Sequence, residues 1–213
     1  MHIILFGAAG NVGSRVANEA ISRGHTVTAI VRKTDQLITL PEGVVGQLGD
    51  AGDSALVAKL SEGQDLIISA IRPSEGSEHL LPLLTKSLLA GAAQSKKRLL
   101  IVGGAASLEI PGEKDQTVLT APGFLPPSVL DIARACAEQH NICRENIETK
   151  WTYISPPPML TPGVRTGHYR LGSEQLVVDQ NGQSAISMED FAVALIDEAE
   201  HPKHHQTRFT AAY

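Results

Sequence analysis

The sequence predicts an α/β protein wound on both faces of a parallel sheet. Three observations carry this: an apolar run at His2–Phe6 breaks directly into a glycine-rich turn, a helical pattern then leads to a second strand-like run at Thr26–Val31, and the same alternation continues to Val102. With 213 residues and 42% hydrophobic content, one core can be buried, so residues 1–213 are expected to form a single domain.

Taken in order, His2-Ile3-Ile4-Leu5-Phe6 reads as a buried strand, and Gly7, Gly10 and Gly13 follow at a spacing of three. Such a triplet lets the chain turn tightly, approach a pyrophosphate with its backbone and pack the next helix closely on the sheet. The unpaired N–H groups at the helix start, around Asn11 and Val12, would hold phosphates. Val12, Val16, Ala20 and Ile21 share one face of that helix, and Arg23-Gly24 supplies a cationic last turn and a C-cap. Thr26–Val31 is nearly continuous in apolar and β-branched residues, as a parallel strand covered on both faces requires.

Val44–Leu48 reads as the third strand, a helix starts near Asp53, and Leu66–Ile71 is the fourth strand. Leu80, Leu84 and Leu88 then recur every four residues toward Gly91, and Leu99–Val102 is the fifth strand. A glycine- and proline-rich loop from Gly103 to Pro127 precedes a helix over Ser128–Asn146 and a strand at Trp151–Ile154 that ends at Pro156-Pro157-Pro158. A short strand is expected at Gln175–Val178, and Ser187-Met188-Glu189-Asp190 has the form of a helix start, with Phe191, Leu195 and Ala199 facing inward. The sum is a doubly wound Rossmann sheet of about six or seven strands, with residues 156–186 contributing most of a small C-terminal substrate-side lobe.

A formal net charge of −5 and the lack of a basic tract argue against a nucleic-acid partner. Lys96-Lys97-Arg98 is read as a solvated patch at the end of the sheet away from the ligand crevice. No long apolar span or signal peptide is seen, so a cytoplasmic location with no membrane contact is expected. Cys136 and Cys143, seven apart in a helix, read as reduced structural thiols, and no metal is assigned to His201-Pro202-Lys203-His204-His205.

About twenty residues past a glycine turn of this kind, an acid favours a free ribose 2′-hydroxyl and a cation accommodates a 2′-phosphate. This chain offers Arg32-Lys33, so NADP is expected and NADPH preferred over NADH; the competing reading makes them solvent-exposed loop cations. Asp50 either accepts a hydrogen bond from the adenine amino group or, like Asp53, caps a helix.

Gly7–Gly13, Arg32-Lys33, Leu48-Gly49-Asp50, Val102–Leu108, Trp151–Pro157 and Ile186–Ala192 together resemble the atypical short-chain dehydrogenase/reductases of the NAD(P)H-binding group, which includes flavin reductase/biliverdin reductase B and the NmrA-like regulators. The larger superfamily uses a Tyr-x-x-x-Lys pair after the fifth strand, where tyrosine protonates a carbonyl. No tyrosine lies between Gly103 and Lys150, and none of Tyr153, Tyr169 and Tyr213 has a lysine four residues on. The resemblance implies that Ile71 and the Pro156-Pro157 backbone flank the nicotinamide, with Ala70 in the same cofactor-binding set. It places Ser107 near the superfamily's active-site hydroxyl, as a candidate catalytic residue that orients substrate or as a loop cap.

Gly163–Arg170 is assigned to the substrate side, where Arg165, His168 and Arg170 could meet an anion, and Phe124, Trp151, Tyr153 and Tyr169 are the stacking candidates. The expected activity is hydride transfer to a small conjugated acceptor of the flavin or quinone class, which needs no tyrosine acid. The second reading is a non-catalytic dinucleotide sensor whose occupancy changes its affinity for a protein partner; nucleotide-sugar epimerisation ranks third.

Overall fold

The first βαβ unit forms where the hydrophobic pattern puts it: β1 at His2–Phe6, α1 at Asn11–Ser22 and β2 at Thr26–Val31. The structure, a computed structural model, describes residues 1–213. It continues with β3 (Val45–Leu48), α2 (Ser54–Leu60), β4 (Leu66–Ser69), α3 (Leu80–Ser95), β5 (Arg98–Val102), α4 (Leu130–Glu145) and β6 (Trp151–Ser155). After these come β7 (Met159–Thr161), β8 (Arg170–Gly172), β9 (Ala185–Ser187), α5 (Met188–Glu200) and β10 (Thr207–Ala212).

The main sheet has eight strands in the order β3-β2-β1-β4-β5-β6-β10-β8, parallel except for β8, which runs antiparallel to β10. β7 and β9 form a separate parallel pair. Strand order reverses between β1 and β4, which opens a crevice at their carboxyl ends. One face of the sheet packs on α1 and α5 through Val16, Ala17, Ala20, Phe191 and Leu195; the other packs on α2, α3 and α4 through Val57, Leu88, Leu89 and Cys143. Ion pairs tie α1 to α5 at both ends, Arg15 to Glu189 at 2.6 Å and Arg23 to Asp197 and Glu200 at 2.6 and 2.7 Å. No helix is long and apolar enough to cross a membrane.

Four expectations are corrected. α3 runs through Gly91 and stops at Ser95, with Lys96 left-handed at φ 56°. Gly91 instead lets α2 approach, because a Cβ there would stand 2.5 Å from Val57 Cγ1 and 2.8 Å from the Ser54 carbonyl oxygen. Residues 175–178 are not a strand; Leu176 packs with Leu108 and Val118 beneath the Gly103–Pro127 loop. The seventh position in the sheet belongs to no predicted strand but to β10, whose buried Arg208 and small residues conceal it. Finally, Arg98 is not solvated: it pairs with the buried Glu198 and donates to Thr152 Oγ1 at 2.8 Å.

Candidate functional site

The glycine turn is built by close approach. Gly7 has φ 86°, and a Cβ there would lie 2.5 Å from the Ala70 carbonyl oxygen; a Cβ on Gly13 would overlap the carbonyl oxygen of Gly7. Gly10 caps α1 without a side chain, and no acid occupies the first turn. The first amides of the helix therefore have neither an intrahelical partner nor a side-chain acceptor, which leaves a cradle for phosphate oxygens.

These residues open onto a cavity of about 940 Å³ along the carboxyl ends of the parallel strands. Gly7, Gly10, Asn11 and Val12 line it, as do Ala70 and Ile71 after β4 and Pro156 and Pro157 after β6. Gly13 and Lys33 stay off the wall: the first serves packing, and the second has its backbone N–H bound by Gln36 Oε1 at 3.2 Å. The same oxygen accepts the Arg32 N–H at 3.0 Å, which fixes the turn and presents an Arg32 side chain with no protein partner to the cavity. Asp53 is the cap of α2, accepting the Leu56 N–H at 3.0 Å. Asp50 lines the cavity, and only its Oδ1 is engaged, by the Gly52 N–H at 2.8 Å.

Beyond β4 the wall becomes apolar, formed by the Val102–Ala106 segment, by Leu80, Leu81 and Leu84, and by Val129, Ile132, Ala133 and Cys136. Tyr153 supports this wall from behind. Its hydroxyl accepts the Gly104 N–H at 3.2 Å and lies 3.1 Å from both the Cys136 carbonyl and Gln139 Oε1. Its ring fills the space a Cβ on Gly103 would need. Burial pushes the Tyr153 hydroxyl well above the usual phenol range and the Cys136 thiol up to about 11, so both stay protonated at neutral pH.

Several predicted contacts lie elsewhere. Ser107 is off the cavity wall, and its Oγ accepts from Arg208 at 2.7 Å and meets His140 Nδ1 at 3.3 Å. Burial, with the nearby charges of Arg208 and Arg144, lowers His140 to about 4, so its ring is neutral there. Arg165 points away to Glu19, at 2.7 and 2.8 Å, and Arg170 reaches the Val178 and Tyr213 carbonyls. The exposed His168 is off the wall too, because Asp190 Oδ1 straps the Thr166 and Gly167 N–H groups to α5 at 2.8 and 2.7 Å. None of Phe124, Trp151, Tyr153 and Tyr169 lines the cavity.

Sequence reasoning passed over Gln36, Arg72, Ser74 and Ser77, all on the wall. Arg72 was within reach of the carboxyl-edge rule, since it follows the fourth strand. The α4 face had no signal of its own: Val129, Ile132, Ala133 and Cys136 recur as an ordinary buried stripe would.

The bare α1 terminus and the glycine cradle fit the pyrophosphate of a dinucleotide. Comparison with known proteins agrees on the class. A family model described as NAD(P)H-binding matches residues 7–202. The Bacillus subtilis protein YwnB is 34% identical over 212 residues, covering 99% of this chain and 97% of that protein. Among solved structures, a Bacteroides thetaiotaomicron protein provisionally described as an epimerase is 38% identical with a TM-score of 0.89, over 100% of this chain and 96% of that one. A Streptococcus pneumoniae protein provisionally described as an NADH-flavin reductase is 30% identical with a TM-score of 0.87, over 100% and 99%.

Proposed function

The chain belongs to the NAD(P)H-binding family, and from that premise we propose that it is an NADPH-dependent reductase acting on a flavin, quinone or similar conjugated acceptor. One observation carries the reading: no tyrosine, lysine, histidine or glutamate lines the cavity. Its ionisable side chains are Arg32, Asp50, Arg72 and a Cys136 thiol that burial keeps protonated. A simple carbonyl needs a positioned acid as its oxygen gains charge. A conjugated ring spreads that charge, so orientation against the cofactor is the main task left to the protein.

When bound, reduced nicotinamide would supply a hydride, and the one proton that completes the two-electron reduction of the acceptor would come from water. The chain's own residues do the rest. The α1 amides and the glycine turn hold the pyrophosphate, Arg32 favours a 2′-phosphate, and Ile71 with Pro156-Pro157 forms the nicotinamide end. The apolar wall of α3 and α4 excludes water from the acceptor. The description of the Streptococcus pneumoniae protein supports this choice. Epimerase chemistry, as in the description of the Bacteroides protein, would need an acid–base group beside the nicotinamide, and the wall's one carboxylate, Asp50, follows β3 on the other side of β1.

The test is anaerobic decay of NADPH absorbance with purified protein and excess FMN, with NADH in parallel and a panel of quinones in place of FMN. Saturable oxidation that prefers NADPH is expected. A melting temperature that rises with NADPH while no acceptor is reduced would overturn the reading in favour of a dinucleotide sensor.

A further inference from the structure

The molecule pairs its arginines almost everywhere. Arg15, Arg23, Arg98, Arg134 and Arg165 meet carboxylates, Arg170 meets two carbonyls, and Arg208 binds Ser107 and Glu174. Only the side chains of Arg32, Arg72 and Arg144 make no hydrogen bond or ion pair. Arg144 sits in the last turn of α4, where the helix carbonyls favour a cation. The other two line the cavity on opposite sides of the glycine turn, because β2 and β4 flank β1. In a chain of net charge −5, two guanidiniums left free in one cavity leave a place for two anions.

Arg32 lies on the adenosine side. We propose that Arg72 binds an anionic substituent of the acceptor, so that the substrate class is a conjugated apolar ring carrying a phosphate or carboxylate; this rests on the reductase reading. The segment after β4 brings Arg72, Ser74 and Ser77 to the rim, and the wall beside them is Leu80, Leu81, Ile132 and Ala133. A ring buried against that wall keeps its charged group at the rim, beside a guanidinium and two hydroxyls. Arg72, after β4, shares the cavity wall with Val129, Ile132, Ala133 and Cys136 of the α4 side. The pyrophosphate already has its donors in the α1 amides, at the carboxyl end of β1.

FMN and riboflavin share one ring and differ in the phosphate, so they isolate the interaction. Their affinities for the NADP-loaded protein would be read from quenching of flavin fluorescence, alongside NADPH affinity and NADPH oxidation, for the wild type, Arg72→Gln and Arg72→Lys. FMN should bind about tenfold more tightly than riboflavin, the gap should close in Arg72→Gln and partly persist in Arg72→Lys, and NADPH affinity should not move. The gap should also shrink with added salt. Equal binding of the two flavins by the wild type, a preference that survives Arg72→Gln, or a parallel loss of NADPH affinity would each overturn the assignment. FMN preference without NADPH oxidation would keep Arg72's role and remove the reductase reading.

Discussion

Arg32 and His140 show how differently two side chains can be read from sequence. Arg32 sits at a fixed distance from a recognisable turn, so its place at the cavity follows from spacing alone. Charge-assisted hydrogen bonds of about 1.5–3 kcal/mol correspond to roughly ten- to a hundredfold in affinity. Arg32→Ala should therefore weaken NADPH binding by about that factor and leave NADH binding unchanged, as checked by titration of cofactor fluorescence. Ser107 looked equally well placed, yet a distant arginine, Arg208, takes its hydroxyl, and no local signal announced that pairing. His140 shares the cluster and carries a pH dependence. Its folded-state pKa, about 4, lies below the ordinary 6.5, so above 6.5 both states are neutral and its neutral burial costs no protonation energy. As pH falls from 6.5 toward 4, the unfolded chain binds a proton that the folded one refuses, and stability is lost. Urea midpoints should fall over that window in the wild type and fall less steeply in His140→Phe.

At the level of elements, the first half was legible because each parallel strand is one unbroken apolar run bounded by a turn. Leu66–Ser69 and Leu99–Val102 could hardly be anything else. The later elements answer to partners far away in sequence. β10 is an interior strand although it contains a buried arginine, and Leu176 is buried without being in a strand. Gly91 is the instructive miss: read locally it ends a helix, whereas in three dimensions it is the contact point of α2 on α3. A methyl group there meets Val57, and overpacking of this kind costs about 1–3 kcal/mol. Gly91→Ala should lower the urea midpoint accordingly. Val57→Ala in the same chain should recover part of the loss, a non-additivity that a double-mutant cycle would measure.

For the molecule as a whole, the crevice follows from topology, since reversal of strand order at β1 and β4 gathers loops from distant parts of the chain around one cavity. Ligand held there stabilises every element at once, by about 2.7 kcal/mol at a hundredfold excess over the dissociation constant. At equal concentrations NADPH should raise the melting temperature more than NADH does, and Arg32→Ala should remove the difference. The position of β10 between β6 and β8 has a consequence of another kind. During synthesis β6 is made by residue 155, but the strand that covers its outer edge begins at residue 207. Between those moments the growing chain exposes the unpaired backbone of Trp151–Ser155, a template for pairing with any neighbouring extended chain. Slow translation of the stretch after Ser155 would lengthen that exposure, and crowding on polysomes would make it a route to aggregation before the sheet is closed.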